Sequence, residues 1–210
     1  MKKIKNSEII IKTKSAYEKQ ISNHGFSPRG VFWQSDNTQV SRFETLIKAI
    51  KLSDQSGKIS ISDFGCGYGA LYQYINKKPF MNGSLYIGYD IVDSFITEAK
   101  QRFPHTEWVC SEKILKKTDY IFISGTFNMA FDKSIPEWEN YLENQLRECY
   151  EKTKKVLAFN LLYSEKTKIE QNLYYSEIEK VFKFCDENLG STLITKTPGA
   201  NKDITIFVTK

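Results

Sequence analysis

Three glycines, Gly65, Gly67 and Gly69, stand between an alternating apolar stretch and a helical one. Without a Cβ the backbone there can turn sharply and approach a ligand closely. A helix opening just after the glycines offers free N–H groups to that ligand. The bland alternative is a tight strand–helix turn, which does not need three spaced glycines. Gly65, Gly67 and Ala70 also satisfy, formally, the G-x-G-x-x-A fingerprint of a nicotinamide dinucleotide site. Two acids, together with a reversed last strand that a classical dinucleotide fold lacks, shift the balance away from that ligand. Asp63 lies two residues before the first glycine. A carboxylate there attracts the ammonium of a bound amino acid and repels a pyrophosphate. Asp90 ends the next apolar stretch, where it can take both hydroxyls of a ribose.

Such residues need elements to hold them. From about residue 58, apolar runs alternate with helical stretches. Strands are expected at 58–64, 84–90, 107–110, 119–124, 155–162, 192–197 and 204–209. Helices are expected at 70–76, 92–102, 136–153 and 176–188. Pro136 suits a first helical turn, and Leu189-Gly190 a helix stop. The alternation specifies an α/β fold, a mostly parallel sheet covered on both faces. Only six turn-type residues, 198–203, join the last two strands. They cannot hold a crossover helix, so the last strand runs antiparallel. Residues 1–57 read as a helical extension, with helices at 7–23 and 38–52, packing over an edge or the mouth of the sheet. Residues 58–210 form the main domain.

S-adenosylmethionine has the parts these residues ask for: an amino-acid end, a ribose and an adenine. Asp63-Phe64-Gly65-Cys66-Gly67-Tyr68-Gly69 resembles the first motif of class I methyltransferases. Tyr86-Ile87-Gly88-Tyr89-Asp90-Ile91 resembles their acidic second motif, and residues 119–128 stand where their fourth lies. The N-terminal Gly25, Pro28-Arg29-Gly30, Trp33 and Arg42-Phe43, with Phe159-Asn160 and Tyr174-Tyr175, resemble a poorly characterised bacterial subgroup of small methyltransferases. The resemblance implies a Rossmann-like seven-stranded sheet and S-adenosylmethionine as cofactor, with S-adenosylhomocysteine as product.

It also implies roles. Gly65, Cys66 and Gly67 lie along the methionyl and ribose part, with Asp63 at the ammonium. Asp90 takes the ribose hydroxyls, and Ile91 packs on the adenine, which Cys110 and Ser111 edge. Ser124 and Gly125 stand beside the sulfonium. Arg42 is a candidate for the cofactor's carboxylate, because guanidinium forks fit carboxylates; its alternative is a surface helix arginine. Trp33 covers the site or anchors a core.

Methyl transfer from a sulfonium is an in-line displacement, so the protein chiefly aligns donor and acceptor. A general base is needed only where the acceptor starts protonated. His24, Tyr174 and Tyr175 are the catalytic candidates; Phe127, Asn128 and Asn160 are the acceptor-binding ones. Ser124-Gly125-Thr126-Phe127 lacks the prolines and leading amide or acid of enzymes that methylate DNA base amines. Asp119 starts its strand, so no metal is expected.

Bulk composition bounds the rest. At 210 residues and 40% hydrophobic, the chain suits one core. The net charge is +5, but lysines are interleaved with glutamates and only Arg29, Arg42, Arg102 and Arg147 are arginines. A nucleic-acid surface would cluster them, so nucleic acid is disfavoured. No apolar run reaches the length of a membrane span, and no signal peptide is evident, so a cytoplasmic protein is expected. Cys66, Cys110, Cys149 and Cys185 are scattered and read as reduced apolar residues. The expected activity is methylation of O or N of a small molecule, such as a sugar, phosphorylated or natural-product precursor, by a monomer or homodimer. The alternatives are an RNA or protein methyltransferase, or a non-catalytic nucleotide-binding partner subunit of the same fold.

Overall fold

The computed structural model describes residues 6–32 and 36–210. The extension holds α1 (Asn6–His24) and α2 (Asp36–Leu46). Then follow β1 (Ser60–Phe64), α3 (Ala70–Ile75), β2 (Leu85–Asp90), α4 (Asp93–Arg102) and β3 (Glu107–Cys110). β4 (Thr118–Ile123) follows directly, then α5 (Ile135–Lys152) and the long β5 (Thr153–Tyr163). β6 (Lys168–Glu170), β7 (Leu173–Ser176), α6 (Ile178–Asn188), β8 (Ser191–Lys196) and β9 (Asp203–Thr209) complete the chain.

The main sheet runs β3-β2-β1-β4-β5-β9-β8. β1 to β5 are mutually parallel, and β9 lies antiparallel against β5 from Val156–Thr209 to Leu162–Asp203. The reversed ending therefore stands as the short 198–203 connection requires. The strand order turns back between β1 and β4, and in open α/β sheets ligands sit outside the carboxyl ends of the strands at that point. Asp63, the glycine loop and Ser124 all lie there.

Beyond the seven expected strands the sheet carries two more. β6 and β7 form a hairpin whose second strand pairs parallel with the end of β5. Its two-residue turn, Gln171-Asn172, has φ of 50° and 66° at the two positions. Hairpins favour that conformation, but their sequence signal is Asn-Gly or Asp-Gly. Gln-Asn hid the hairpin. The expected 38–52 helix is also shorter: α2 ends at Leu46, and a 3-10 turn over Ile47–Ala49 continues it.

The core divides by sheet face. On one, Trp138, Leu142 and Leu146 of α5 and Val181 of α6 pack against Ile121, Leu157 and Ile206. On the other, Phe43 and Leu46 of α2, Leu71 of α3 and Ile96 of α4 cover Ile61, Phe122 and Ala158. Cys66, Cys149 and Cys185 are buried and unpaired by disulfides. α1 belongs to neither layer. Its Ile9 end sinks into the α5 side of the core, and Tyr17 and Ile21 pack beside Phe95 and Tyr68. Ion pairs Lys12–Asp132 and Lys133–Glu8 and the Ser94–Glu18 hydrogen bond hold it across the carboxyl ends of the strands.

Arg42 fastens α2 to the sheet. Its Nε donates to Asp203 Oδ2 at 2.7 Å, and Asp203 Oδ1 accepts from Thr197 at 2.6 Å. Both partners of the ion pair are almost fully buried. Removing one partner of such a pair strands the other charge, at a cost of roughly 3–5 kcal/mol. Asp203→Ala is therefore expected to lower stability by about 3 kcal/mol in urea unfolding. An unchanged midpoint would show that α2 is held by other contacts.

Candidate active site

The glycine loop is shaped by its hydrogen bonds. The N–H groups of Gly65 and Cys66 both donate to the carbonyl of Tyr89, at 2.8 and 3.0 Å. That of Gly67 donates to Asp90 Oδ2 at 2.8 Å. Three successive N–H groups are thus spent on the end of β2. Gly65 has φ of +78°, and a Cβ there would lie 2.1 Å from Thr126 Oγ1. Thr126 in turn donates to the Phe64 carbonyl at 3.0 Å, drawing the end of β4 over β1.

Two carboxylates face the same space. Asp63 accepts from the Tyr86 hydroxyl at 2.5 Å. Asp90 accepts from the N–H groups of Gly67 and Val92. Burial pushes Asp63 up to about 7; the Tyr86 bond opposes this and the neighbouring Asp90 adds to it. Burial likewise raises Asp90 to about 6, against the pull of the Val92 and Gly67 N–H groups. Among the described residues no cationic side chain hydrogen-bonds or ion-pairs with either carboxylate. Burial also pushes up the Cys66 thiol.

These groups line one open cleft. The floor is Asp63 to Tyr68 with Asp90 and Ile91. Ser111 stands at one end, and Ser124, Gly125 and Thr126 at the centre. α1 roofs it with Ile9, Ile10, Thr13 and Tyr17, and α2 adds Gln39 and Phe43. α5 contributes Trp138, Tyr141 and Gln145. Each set has helical spacing of three, four or seven residues (Ile10 apart), so one face of each helix is presented.

The structure thus brings together Asp63, Gly65, Cys66, Gly67, Asp90, Ile91, Ser111, Ser124 and Gly125. Arg42 stays outside the cleft lining, its guanidinium turned to Asp203 on β9. Cys110 is exposed beyond the edge, with its Sγ toward the Ile91 carbonyl. Trp33 lies outside the described residues.

The catalytic and acceptor-binding candidates lie outside the cleft lining. His24 is exposed at the last turn of α1 and is not part of the lining. Tyr174 is buried, its hydroxyl donating to Glu139 at 3.0 Å, and serves the packing of β7 on α5. Tyr175 lies on the hairpin, with Lys168 and Lys202 over its ring. Phe127 is a core residue against Phe64. Asn128 braces β5 and β7: its Oδ1 accepts from Leu162 N–H and its carbonyl from Tyr174 N–H. Asn160 Oδ1 accepts from Gly125 N–H at 2.7 Å, so it shapes the end of β4 from behind the lining.

No family model matches this chain. A Mycobacterium tuberculosis protein, provisionally named a methyltransferase, is 27% identical over 166 residues, covering 77% of this chain and 99% of the relative. Magnesium protoporphyrin IX methyltransferase of Synechocystis, solved with bound S-adenosylhomocysteine, superposes with a TM-score of 0.66 at 12% identity. That match covers 98% of this chain and all of the other. The plantazolicin methyltransferase, solved with S-adenosylhomocysteine and a triazolic desmethyl-plantazolicin analogue, gives 0.65 at 13% identity over 97% of each chain.

The geometry sets an expectation for the loop. Gly65→Val places a branched side chain against Thr126 in a backbone conformation that such residues avoid. Asp90→Ala removes the acceptor that holds Gly67 N–H. Both substitutions should abolish binding of an adenosyl ligand in calorimetry; normal affinity in Gly65→Val would remove the loop from the site.

Proposed function

We propose that this chain, whose fold is that of the class I S-adenosylmethionine-dependent methyltransferases, transfers a methyl group from S-adenosylmethionine to oxygen or nitrogen of a small molecule. The observation that carries the reading is the pair of buried carboxylates, Asp63 and Asp90, with no basic side chain hydrogen-bonded or ion-paired to either among the described residues. A dinucleotide would bring a pyrophosphate anion to that pair and ask for N–H groups already given to Tyr89 and Asp90. S-adenosylmethionine brings an ammonium to Asp63 and a ribose diol to the free lone pairs of Asp90. When bound, it supplies an electrophilic methyl group on a sulfonium.

The protein's own part is holding and drying. Asp63 and Asp90 hold the two ends of the donor, and Ser124 and Gly125 flank its centre. α1 closes over them with Ile9, Ile10 and Tyr17, which excludes water from the displacement. No histidine stands among the described lining residues. The chemistry asked of the site is alignment, with the acceptor supplying its own lone pair. A cleft roofed by a helix suits an acceptor small enough to be enclosed. Two structural neighbours carry the names of enzymes acting on a porphyrin and on plantazolicin. A second reading, an RNA acceptor, draws on Lys168 and Lys202 over Tyr175 and Lys196 over Tyr163, at the same end of the sheet. Steeply salt-dependent RNA binding would favour it.

Calorimetry with S-adenosylmethionine, S-adenosylhomocysteine and NAD tests the donor. Binding of the first two and not the third is expected; the reverse overturns the reading.

Protonation sets a second expectation. Asp63 takes up its proton near 7 in the free protein, above the ordinary 3.8 of the unfolded chain. The native state then holds the extra proton, so this group's contribution to stability falls as pH rises from about 4 to 7. Affinity for an ammonium-bearing ligand runs the other way, because binding needs the ionised carboxylate. S-adenosylhomocysteine should bind more tightly at pH 8 than at pH 5.5, by about tenfold per unit where Asp63 alone titrates. Asp63→Asn should weaken binding and flatten that profile. An equally steep profile in the variant would assign the proton elsewhere.

A further inference from the structure

Asp63 and Asp90 are held in different ways. Asp90 rests on two backbone N–H groups, those of Gly67 and Val92. Asp63 rests on one side chain. The Tyr86 hydroxyl donates to its Oδ2 at 2.5 Å, and among the described residues its Oδ1 has no hydrogen-bond partner. Asp63 is 2% and Tyr86 3% exposed. Asp63 lines the cleft and Tyr86 does not, so the phenol bears on the site through the carboxylate.

The sequence around Tyr86 builds this contact. β1 and β2 are parallel, with Ile61 beside Tyr86 and Asp63 beside Gly88. Residues two apart on a strand share a face, so the phenol and the carboxylate stand diagonally across the two strands. Gly88 leaves the place beside Asp63 without a side chain. The Trp108 ring of β3 fills it: a Cβ on Gly88 would lie 2.3 Å from that ring. Trp108 and Tyr72 of α3 then close on the Tyr86 ring, with centroids 5.7 and 4.8 Å away. Packing thus fixes the ring, and its hydroxyl meets Asp63.

The other surroundings favour the neutral acid. Burial and the nearby Asp90 push Asp63 up, and the Tyr86 hydrogen bond draws it down. The further titratable groups facing the pair are Cys66 of the loop, Tyr72 of α3 and, across Asp90, Tyr17 and Lys14 of α1. Lys14 is the cation among them, and its pull is on Asp90. Arg42 of α2 is turned to Asp203. A hydrogen bond given to the charged form of an acid favours that form. Tyr86 gives one without bringing a positive charge, whereas a basic side chain in its place would occupy the acid as an ammonium ligand does.

We propose that Tyr86 is a positioning residue for the methyl donor: its hydroxyl turns Asp63 toward the cleft and holds it as a carboxylate, leaving Oδ1 to meet the donor's ammonium. This rests on the donor assignment and adds to it a residue that touches no ligand. Tyr72, Trp108 and Gly88 serve the same end by fixing the phenol.

The test titrates the full chain with S-adenosylhomocysteine and with 5′-methylthioadenosine, which keeps the adenosyl group and lacks the amino acid. Tyr86→Phe keeps the ring and removes the hydroxyl, so Asp63 gives up its proton at higher pH. S-adenosylhomocysteine should then bind roughly tenfold more weakly than to wild type at pH 6, the factor for a rise of one unit, and within about threefold of wild type at pH 8.5. 5′-Methylthioadenosine should bind the two proteins equally at either pH. In an Asp63→Asn background the same change should alter S-adenosylhomocysteine affinity by less than about twofold, because the group it acts through is gone. That comparison stands even where Tyr86→Phe alone fails to fold. No loss at pH 6, an equal loss at both pH values, a parallel loss of 5′-methylthioadenosine, or a further loss in the Asp63→Asn background would overturn the proposal. Failure of wild type to bind S-adenosylhomocysteine would overturn the donor assignment and the proposal with it; the other results, with wild type binding, overturn the proposal alone.

Discussion

Two carboxylates are buried at the ends of adjacent strands, where the order of the sheet turns back on itself, and among the described residues neither has a basic side chain bound to it. That arrangement is unfavourable for the folded chain by itself, since each acid is driven toward protonation by its own burial. It persists because the local backbone is tied to it. Asp90 holds Gly67 N–H and Val92 N–H; Tyr89, one residue earlier, holds Gly65 and Cys66. The loop can adopt this path only with glycine where φ is positive and Thr126 crowds in. The shape of the loop and the charge of the site are therefore one constraint. A cationic nucleoside relieves it, and an anionic dinucleotide aggravates it.

Other parts of the molecule hold this constraint in place. Gly125 is pinned from behind by Asn160, and Thr126 is bonded to Phe64, so the end of β4 is fixed relative to β1 and β5. The buried Arg42–Asp203 pair ties α2 to β9 and so fixes the side of the cleft carrying Gln39 and Phe43. α1 is attached differently. It has an apolar anchor at each end, but its ion pairs with Asp132 and Asp93 are exposed, and such pairs are worth about 0–1 kcal/mol. The floor is held by buried polar interactions, and the roof by apolar anchors with only exposed ion pairs beside them.

That division explains what could be read from the sequence. The floor is contiguous along the chain: Asp63 to Gly69, Asp90-Ile91 and Ser124-Gly125 are short segments at strand ends, and spacing alone marks them. The alternation of strands and helices was equally legible, and the short 198–203 connection carried the antiparallel ending. The roof and side walls were not, because Tyr17, Gln39, Trp138 and Gln145 stand on three separate helices and are joined only by packing. Their helical spacing looks like that of any core-facing stripe. Arg42 shows the converse: an arginine beside a site satisfies a carboxylate, and sequence does not say that the carboxylate belongs to Asp203, 161 residues away. Tyr174 and Tyr175 stand outside the cleft lining for a related reason, since the unmarked Gln171-Asn172 turn converts their segment into a strand that uses them for pairing and packing.

Polar groups near the strand ends divide by what they already hold. Tyr174 and Asn128 each have a partner within the protein, and Asn160 Oδ1 is taken by Gly125 N–H. The Asp63 and Asp90 carboxylates differ, because burial drives both toward protonation and among the described residues no basic side chain is bonded to either. Folding alone would select against such a pair, since a neutral side chain of similar shape would spare the desolvation of the charge. Where the fold keeps both acids on the floor of one cleft, the unmet need is one of charge, and it is a need that a cationic ligand meets and a neutral or anionic one does not.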